Sequence, residues 1–264
     1  MKVYRKTVKC HTFNEDRFAV SDRLFAVIDG ATDLSAMSSG YRRSSASLLA
    51  ERVKRELERF SGGDVVEFLH GLSKKLYNET PRLLASCGIS IVYLDGDLAR
   101  LYCVGDCEIN YKLKSGEIVR FKQSELSALD KKATDELIAV SREKNISVKA
   151  AMPYIKPTLV KHRNMMNTPN GYDVFAPQEN PCFSVLTHTL PISKLESLYV
   201  FTDGFAQAFT TLDILPSYES LFAPSIAPDD VIEEIKRVCF EDKDFNRFPR
   251  FKLIDDVTVI KLDF

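Results

Sequence analysis

The chain has 264 residues, a length that suits one large domain or two small ones, with 45% apolar and 28% charged residues to supply a core and a soluble surface. A formal net charge of −1 gives no overall attraction to nucleic acid or to an anionic membrane. The apolar runs are strand-sized, far short of the roughly 20 residues that span a bilayer, and the basic start MKVYRKTVKCHTF has no apolar stretch of the kind a signal peptide needs, so a cytoplasmic location is the default expectation.

Residues 2–10 alternate as an opening strand, and the charged cluster Asn14-Glu15-Asp16-Arg17 precedes a short strand at 18–20. Ser21-Asp22-Arg23 is a hairpin turn into LFAVIDG at 24–30, whose five consecutive apolar residues read as a strand buried on both faces. Two amphipathic helices follow. The first covers 39–60 and stops at Ser61-Gly62-Gly63; the second is capped by Asp64 and ends before Pro81. Residues 89–94 and 98–104 form a hairpin around Asp95-Gly96-Asp97, and 108–113 pairs with 117–121 around Lys114-Ser115-Gly116. A polar helix is expected at 124–144. The proline- and asparagine-rich stretch 150–181 gives no clear pattern. Strands return at 183–190 and 198–202, a helix covers 228–240 with Asp229 and Asp230 at its positive end, and 252–254 and 257–262 flank Asp255-Asp256. No repeat or low-complexity linker divides the chain, so it reads as a single domain, 1–264.

Four apolar strands thus begin or end at acids: Glu15-Asp16, Asp29, Asp203 and Asp255. A single Asp-Gly is most often a turn. Its repetition in one context, apolar strand then Asp-Gly, at Asp29 and Asp203 raises the weight of a second explanation. A carboxylate at the end of a buried strand needs compensation, converging carboxylates repel unless cations sit between them, and hard oxygen ligands suit Mg²⁺ or Mn²⁺. The six cysteines form no CxxC pair, and Cys103 and Cys107 lack partners for zinc, so reduced and mostly buried thiols are expected.

Five segments in order resemble the metal-dependent protein phosphatase 2C family, bacterial-type branch: Asn14-Glu15-Asp16; FAVIDG at 25–30; Gly88-Ile89-Ser90 followed by Val104-Gly105-Asp106-Cys107; LYVFTDG at 198–204; and Asp255-Asp256-Val257-Thr258-Val259-Ile260. The resemblance implies an α+β fold, a four-layer α-β-β-α sandwich of two antiparallel sheets flanked by helix pairs, with residues 124–181 as a flap or variable region. It implies a Mg²⁺- or Mn²⁺-dependent hydrolase that removes phosphate from phosphoserine and phosphothreonine in proteins by a metal-activated water, opposite a cognate Ser/Thr kinase in signalling. In that scheme Asp29 bridges two metal ions with the Gly30 carbonyl beside it, and Asp203 and Asp255 complete the first site. Glu15 and Asp16 hold waters or the second ion, and Asp106 with Asp203 serves a third ion in similar bacterial enzymes. Asp29 and Asp203 are then the central catalytic acids. The strand period lets one of Asp255 and Asp256 face the metals, and the motif favours Asp255.

The chain departs from the family in three places. His11 stands where many relatives have a phosphate-binding Arg, so His11, as a catalytic or phosphate-binding group, and Lys9, Arg17, Arg42 and Arg43 are the candidates for that grip. Ala31 follows Asp-Gly where eukaryotic relatives have a histidine, and Cys107 replaces the serine of Gly-Asp-Ser. Two alternatives remain at this stage: a non-catalytic pseudophosphatase acting as a regulatory binding protein, and a small-molecule phosphatase with the same centre. A monomer with no nucleic-acid or membrane partner is expected.

Overall fold

The computed structural model describes residues 1–10, 12–32, 44–80 and 83–264. Among the described residues ten strands form two antiparallel sheets of five. The first contains β2 (Arg17–Val20), β3 (Leu24–Thr32), β4 (Ala85–Asp95), β5 (Leu98–Val104) and β8 (Leu186–Pro191), in that order across the sheet. The second runs β1 (Lys2–Val8), β10 (Val257–Asp263), β9 (Leu195–Phe201), β6 (Glu108–Leu113), β7 (Ile118–Phe121). The sandwich with flanking helix pairs expected from the sequence is what forms.

The apolar run of β3 is continuous because both of its faces are covered. Leu24, Ala26 and Ile28 point to one side, where α1 (Ser45–Glu58) and α2 (Val65–Glu79) contribute Leu49, Val53, Leu57, Leu69 and Leu76. Phe25 and Val27 point to the other, into the layer between the sheets, where they meet Val92, Leu101, Val200, Ile260 and Leu262. The second sheet repeats the scheme. Its outer residues Tyr199, Phe201, Val257 and Val259 pack on α5 (Asp203–Thr210) and α6 (Pro228–Glu241) through Phe205, Ile232 and Ile235. The helix starts are locally encoded: the Ser44 side chain accepts from Ser47 N–H, and Asp64 from the N–H groups of Val66 and Glu67.

Four elements differ from the sequence reading. The first helix begins at Ser45, and the 39–43 part of its expected span lies outside the described residues. Residues 148–163, within the patternless stretch, are a helix, α4 (Val148–Arg163), capped by the Ser147 side chain and containing Pro153 and Pro157. Proline removes a helical hydrogen bond and clashes with the preceding turn, so its presence argues against a helix. Here tertiary packing compensates: Val148, Ala151 and Ile155 bury against Leu137 of α3 (Glu125–Lys144) and against Phe245. Finally, α5 starts at Asp203 itself, and the expected strand residues 252–254 form bends rather than a ladder.

Candidate metal centre

Strand register gathers the acids at one end of the inter-sheet layer. β2 and β3 pair Arg17 with Ile28, so one step further along the strands Asp16 faces Asp29. β3 and β4 pair Asp29 with Gly88. Because alternate residues share a face, Asp29 continues the inward row of Phe25 and Val27 to the mouth of that layer. β4 and β5 pair Ile89 with Val104, which delivers Asp106 beside the same Gly88. A β-carbon at Gly88 would overlap the Asp106 carboxylate, so glycine there is what allows the acid to lie across the strand. In the second sheet, Thr202 N–H donates to Thr258 O at 3.0 Å, placing the start of α5, with Asp203, next to the 255–257 segment. Thr202 Oγ1 then donates to Asp16 Oδ2 at 2.7 Å, a hydrogen bond that ties the two sheets together at the site.

Asp255 and Asp256 divide their labour. Asp256 is buried and accepts two main-chain donors, Cys10 N–H at 2.7 Å and Glu15 N–H at 2.8 Å, so its carboxylate fastens the 8–16 connection to the last strand. Asp255 instead lies toward Asp203 and Asp16 and takes the Lys252 ammonium on both oxygens, each at 2.9 Å. Replacing Asp256 with Asn turns one acceptor into a donor facing an N–H group. Asp256→Asn is therefore expected to cost about 1–3 kcal/mol, measured by urea unfolding of metal-free protein; an unchanged midpoint would show that the two main-chain contacts do not need a carboxylate.

The electrostatics fit a cation site. Burial, followed by the like charges of Asp16, Asp203, Asp106 and Asp255, pushes Asp29 well above the ordinary carboxylate range. Asp16 is raised in the same way, by burial and then Asp255, Asp203 and Asp256, against the opposing Thr202 hydrogen bond. Asp203 is pushed up to about 7 by burial, Asp255 and Asp106, and Asp106 to about 6 by burial and Asp130. Ligand oxygens of Asp29 and Asp106 lie within 4.8 Å of each other and of the Cys107 sulfur. Burial holds that thiol protonated, with Asp29 and Asp106 adding to the effect, and it packs in the apolar inter-sheet layer. The usable donors are therefore carboxylate oxygens that repel one another, a set that suits Mg²⁺ or Mn²⁺.

The sign of the resulting pH dependence is fixed. Carboxyls with raised native pKa values bind protons that the unfolded chain, titrating near 3.9, has already released, so stability falls as pH rises toward 7. Metal-free protein is expected to lose roughly 3–6 °C of Tm between pH 5.5 and 7.5. Asp203→Asn should flatten that slope, and Mn²⁺ should reverse it. A metal-free Tm that rises across this range and is indifferent to Asp203→Asn would contradict the acid cluster.

The structure brings Asp16, Asp29, Asp106, Asp203 and Asp255 together. Gly30 is wedged in, its N–H on Glu15 O at 3.2 Å, with an added β-carbon falling 2.7 Å from the same oxygen. Glu15 is thereby placed by its backbone, through Gly30 and Asp256. The phosphate-binding candidates fare differently. Arg17 is bonded to Glu51, the Asn14 and Asp16 carbonyls and Ser47, a brace between β2 and α1. Lys9 is exposed on the rim of a cleft that Arg17 and Glu51 also line. His11, Arg42 and Arg43 lie outside the described residues.

Three charged side chains at the site escape the sequence motifs. Asp130 of α3 is raised to about 6 by desolvation and by Asp203. Lys252 is held in place by Asp255. Burial works against its charge, but Asp255, Asp203 and Asp29 outweigh that and hold it protonated. Arg163, the last residue of α4, lies within electrostatic reach of Asp106 and Asp130. Lys252 carried a faint signal, three residues before Asp255. Asp130 and Arg163 carried none, because only the folding back of α3 and α4 brings them to the acids.

No family model and no curated protein sequence matches the chain. Solved structures do. The Mycobacterium tuberculosis serine/threonine phosphatase PstP/Ppp aligns with a TM-score of 0.57 at 14% identity, over 100% of this chain and 98% of that one. The catalytic domain of serine threonine protein phosphatase PstP in complex with two manganese ions aligns at 0.55 and 15% identity, over 99% and 97%. Serine/threonine phosphatase Stp1 from Staphylococcus aureus aligns at 0.54 and 12% identity, over 100% and 94%. The likeness is one of fold, and it extends over the full length of the chain.

Proposed function

We propose that the chain is a Mg²⁺- or Mn²⁺-dependent phosphatase of the protein phosphatase 2C type, acting on phosphoserine and phosphothreonine in proteins. The observation that carries the reading is the convergence of five carboxylates from both sheets at the end of this particular sandwich, four of which, Asp16, Asp29, Asp106 and Asp203, are lifted in pKa by burial and by their acidic neighbours. Likeness to a phosphatase domain in complex with two manganese ions supports it. A non-catalytic binding protein would gain nothing from such repulsion.

In this reading Asp29, the Gly30 carbonyl, Asp203 and Asp255 would hold the divalent ions, together with Asp16 and Glu15, and Asp106 with Asp203 would hold a further one. Divalent cations held there would supply a water acidic enough to attack phosphorus at neutral pH and would offset charge on the phosphoryl group. The chain's own residues do the rest. Thr202 fixes the Asp16 carboxylate across the sheets, Asp256 locks the Glu15 backbone, and Gly88 and Gly204 let Asp106 and Asp203 approach. Lys252 donates to both Asp255 oxygens and would compete with a cation for them.

The α3–α4 segment stands beside the acids and is assigned to substrate selection, and the physiological substrate is a phosphoprotein with a partner kinase. No described helix is long and apolar enough to cross a membrane. The test is phosphate release from a phosphoserine peptide and from an aryl phosphate. Turnover should require Mn²⁺ or Mg²⁺, stop with EDTA, and favour the peptide over phosphorylated metabolites. Well-folded protein that releases no phosphate with either metal would overturn the proposal.

A further inference from the structure

We propose that Arg163, at the end of α4, grips the substrate phosphoryl group, the task for which the sequence leaves no arginine at the expected position near the N-terminus. The proposal rests on the phosphatase reading above and adds to it the residue that holds the anion.

The segment that follows α4 is attached to the site. Cys87 N–H donates to Phe175 O at 2.7 Å and Phe175 N–H to Cys87 O at 3.0 Å, adding a short rung to β4 one residue from Gly88. Asn167 closes the turn between: its N–H bonds Tyr172 O at 2.8 Å and its side-chain oxygen accepts from Val174 N–H at 2.9 Å. Arg163 therefore emerges at a fixed place. Its Nη1 reaches Ser86 Oγ at 3.3 Å, and Ser86 faces Ala31 across the ladder, two positions along β4 from the Gly88–Asp29 pair. Residues two apart on a strand share a face and stand about 7 Å apart, so the guanidinium borders the acid cluster. Tyr172 flanks it on one side, and Asp106 and Asp130 feel its charge from the other.

The manner in which Arg163 is held differs from that of the other arginines near the site. Arg17 is spent on Glu51, Ser47 and two carbonyls. Arg250 is buried, and its guanidinium bonds the Asp242 carboxylate and four main-chain oxygens, from Leu253, Phe248, Cys239 and Asp242. Arg163 has one long hydrogen bond to a neutral hydroxyl and the Tyr172 phenol as a second neutral partner, and among the described residues the carboxylates near it form no ion pair with it. A half-buried guanidinium so placed keeps most of its fork of donors for an incoming group, and its planar geometry matches a phosphoryl group bidentately.

The test compares wild type, Arg163→Ala and Arg163→Lys in Mn²⁺. Two readouts are taken: steady-state turnover of a phosphoserine peptide, and anisotropy binding of a labelled peptide bearing a non-hydrolysable phosphonate in place of the phosphate. Loss of two charge-assisted hydrogen bonds is expected to weaken phosphonate binding and raise KM by about 10- to 100-fold in Arg163→Ala, with partial recovery in Arg163→Lys. Mn²⁺ binding by calorimetry and Tm should match wild type. Unchanged phosphonate affinity and unchanged KM in Arg163→Ala would overturn the proposal. So would a loss that follows lost Mn²⁺ binding, which would make Arg163 a support of the metal site. Wild type that binds the phosphonate but turns over no phosphopeptide would overturn the phosphatase reading while the Arg163→Ala binding comparison still decides the grip.

Discussion

Asp29→Asn should reduce metal-dependent phosphate release by about 10³-fold or more, and at the same time make the metal-free protein more stable at pH 7.5. The two effects come from one cause. Asp29 sits where the fields of Asp16, Asp203, Asp106 and Asp255 overlap, so its charge is a liability until cations arrive. Asn keeps the shape of the side chain and deletes the charge, which relieves its four neighbours. It also removes the oxygen anion that both ions would share. Steady-state kinetics and thermal unfolding in chelator measure the pair of effects. A variant that retains activity would show that Asp29 is not an essential metal ligand, and one that loses both activity and stability would show that Asp29 has a structural role.

Gly204→Ala should be the most damaging single methyl group at the site. A β-carbon there would collide with the main-chain oxygen of Asp256 and lie 3.4 Å from the Asp255 β-carbon. The main obstacle is the Asp256 backbone, so relief requires α5 to move away from the 255–257 segment, and with it Asp203 from Asp255. Overpacking of this kind costs about 3 kcal/mol, which for a chain of this size is roughly 6–12 °C in Tm. Metal-dependent turnover should fall with it, because the two acids separate. Gly71→Ala is the control: an added β-carbon on that residue of α2 meets nothing within 4 Å. There alanine should stabilise the helix by about 0.5–1 kcal/mol. Similar Tm values for the two variants would contradict the close approach of α5 to the last strand.

Much of this architecture was readable because its determinants are local. The two-faced burial of β3 appears as an uninterrupted apolar run, the hairpins as turn dipeptides between alternating strands, and the α2 start as Asp64. The acids were readable because each terminates such a strand, so the end of the sandwich at which they meet follows from register. What escaped depends on tertiary packing. α4 has two interior prolines, and only its burial against Leu137 and Phe245 makes the helix worth its broken hydrogen bonds. α5 is eight residues long and shares its first residue with the Asp-Gly motif, so the apolar run ahead of it masks the change of period. The choice between Asp255 and Asp256 could be narrowed by strand alternation, but the reason appears only in three dimensions, in the two main-chain donors that claim Asp256. Asp130 and Arg163 belong to the site through the path of a segment whose sequence says nothing about where it returns.

The most direct test of the metal centre is anomalous diffraction from crystals grown with Mn²⁺, with data collected at the manganese edge. Two peaks flanking the Asp29 carboxylate, one within ligand distance of Asp203 and Asp255, are the expected result. Refined density with no manganese at Asp29 would contradict it, as would manganese confined to surface carboxylates away from the end of the sandwich.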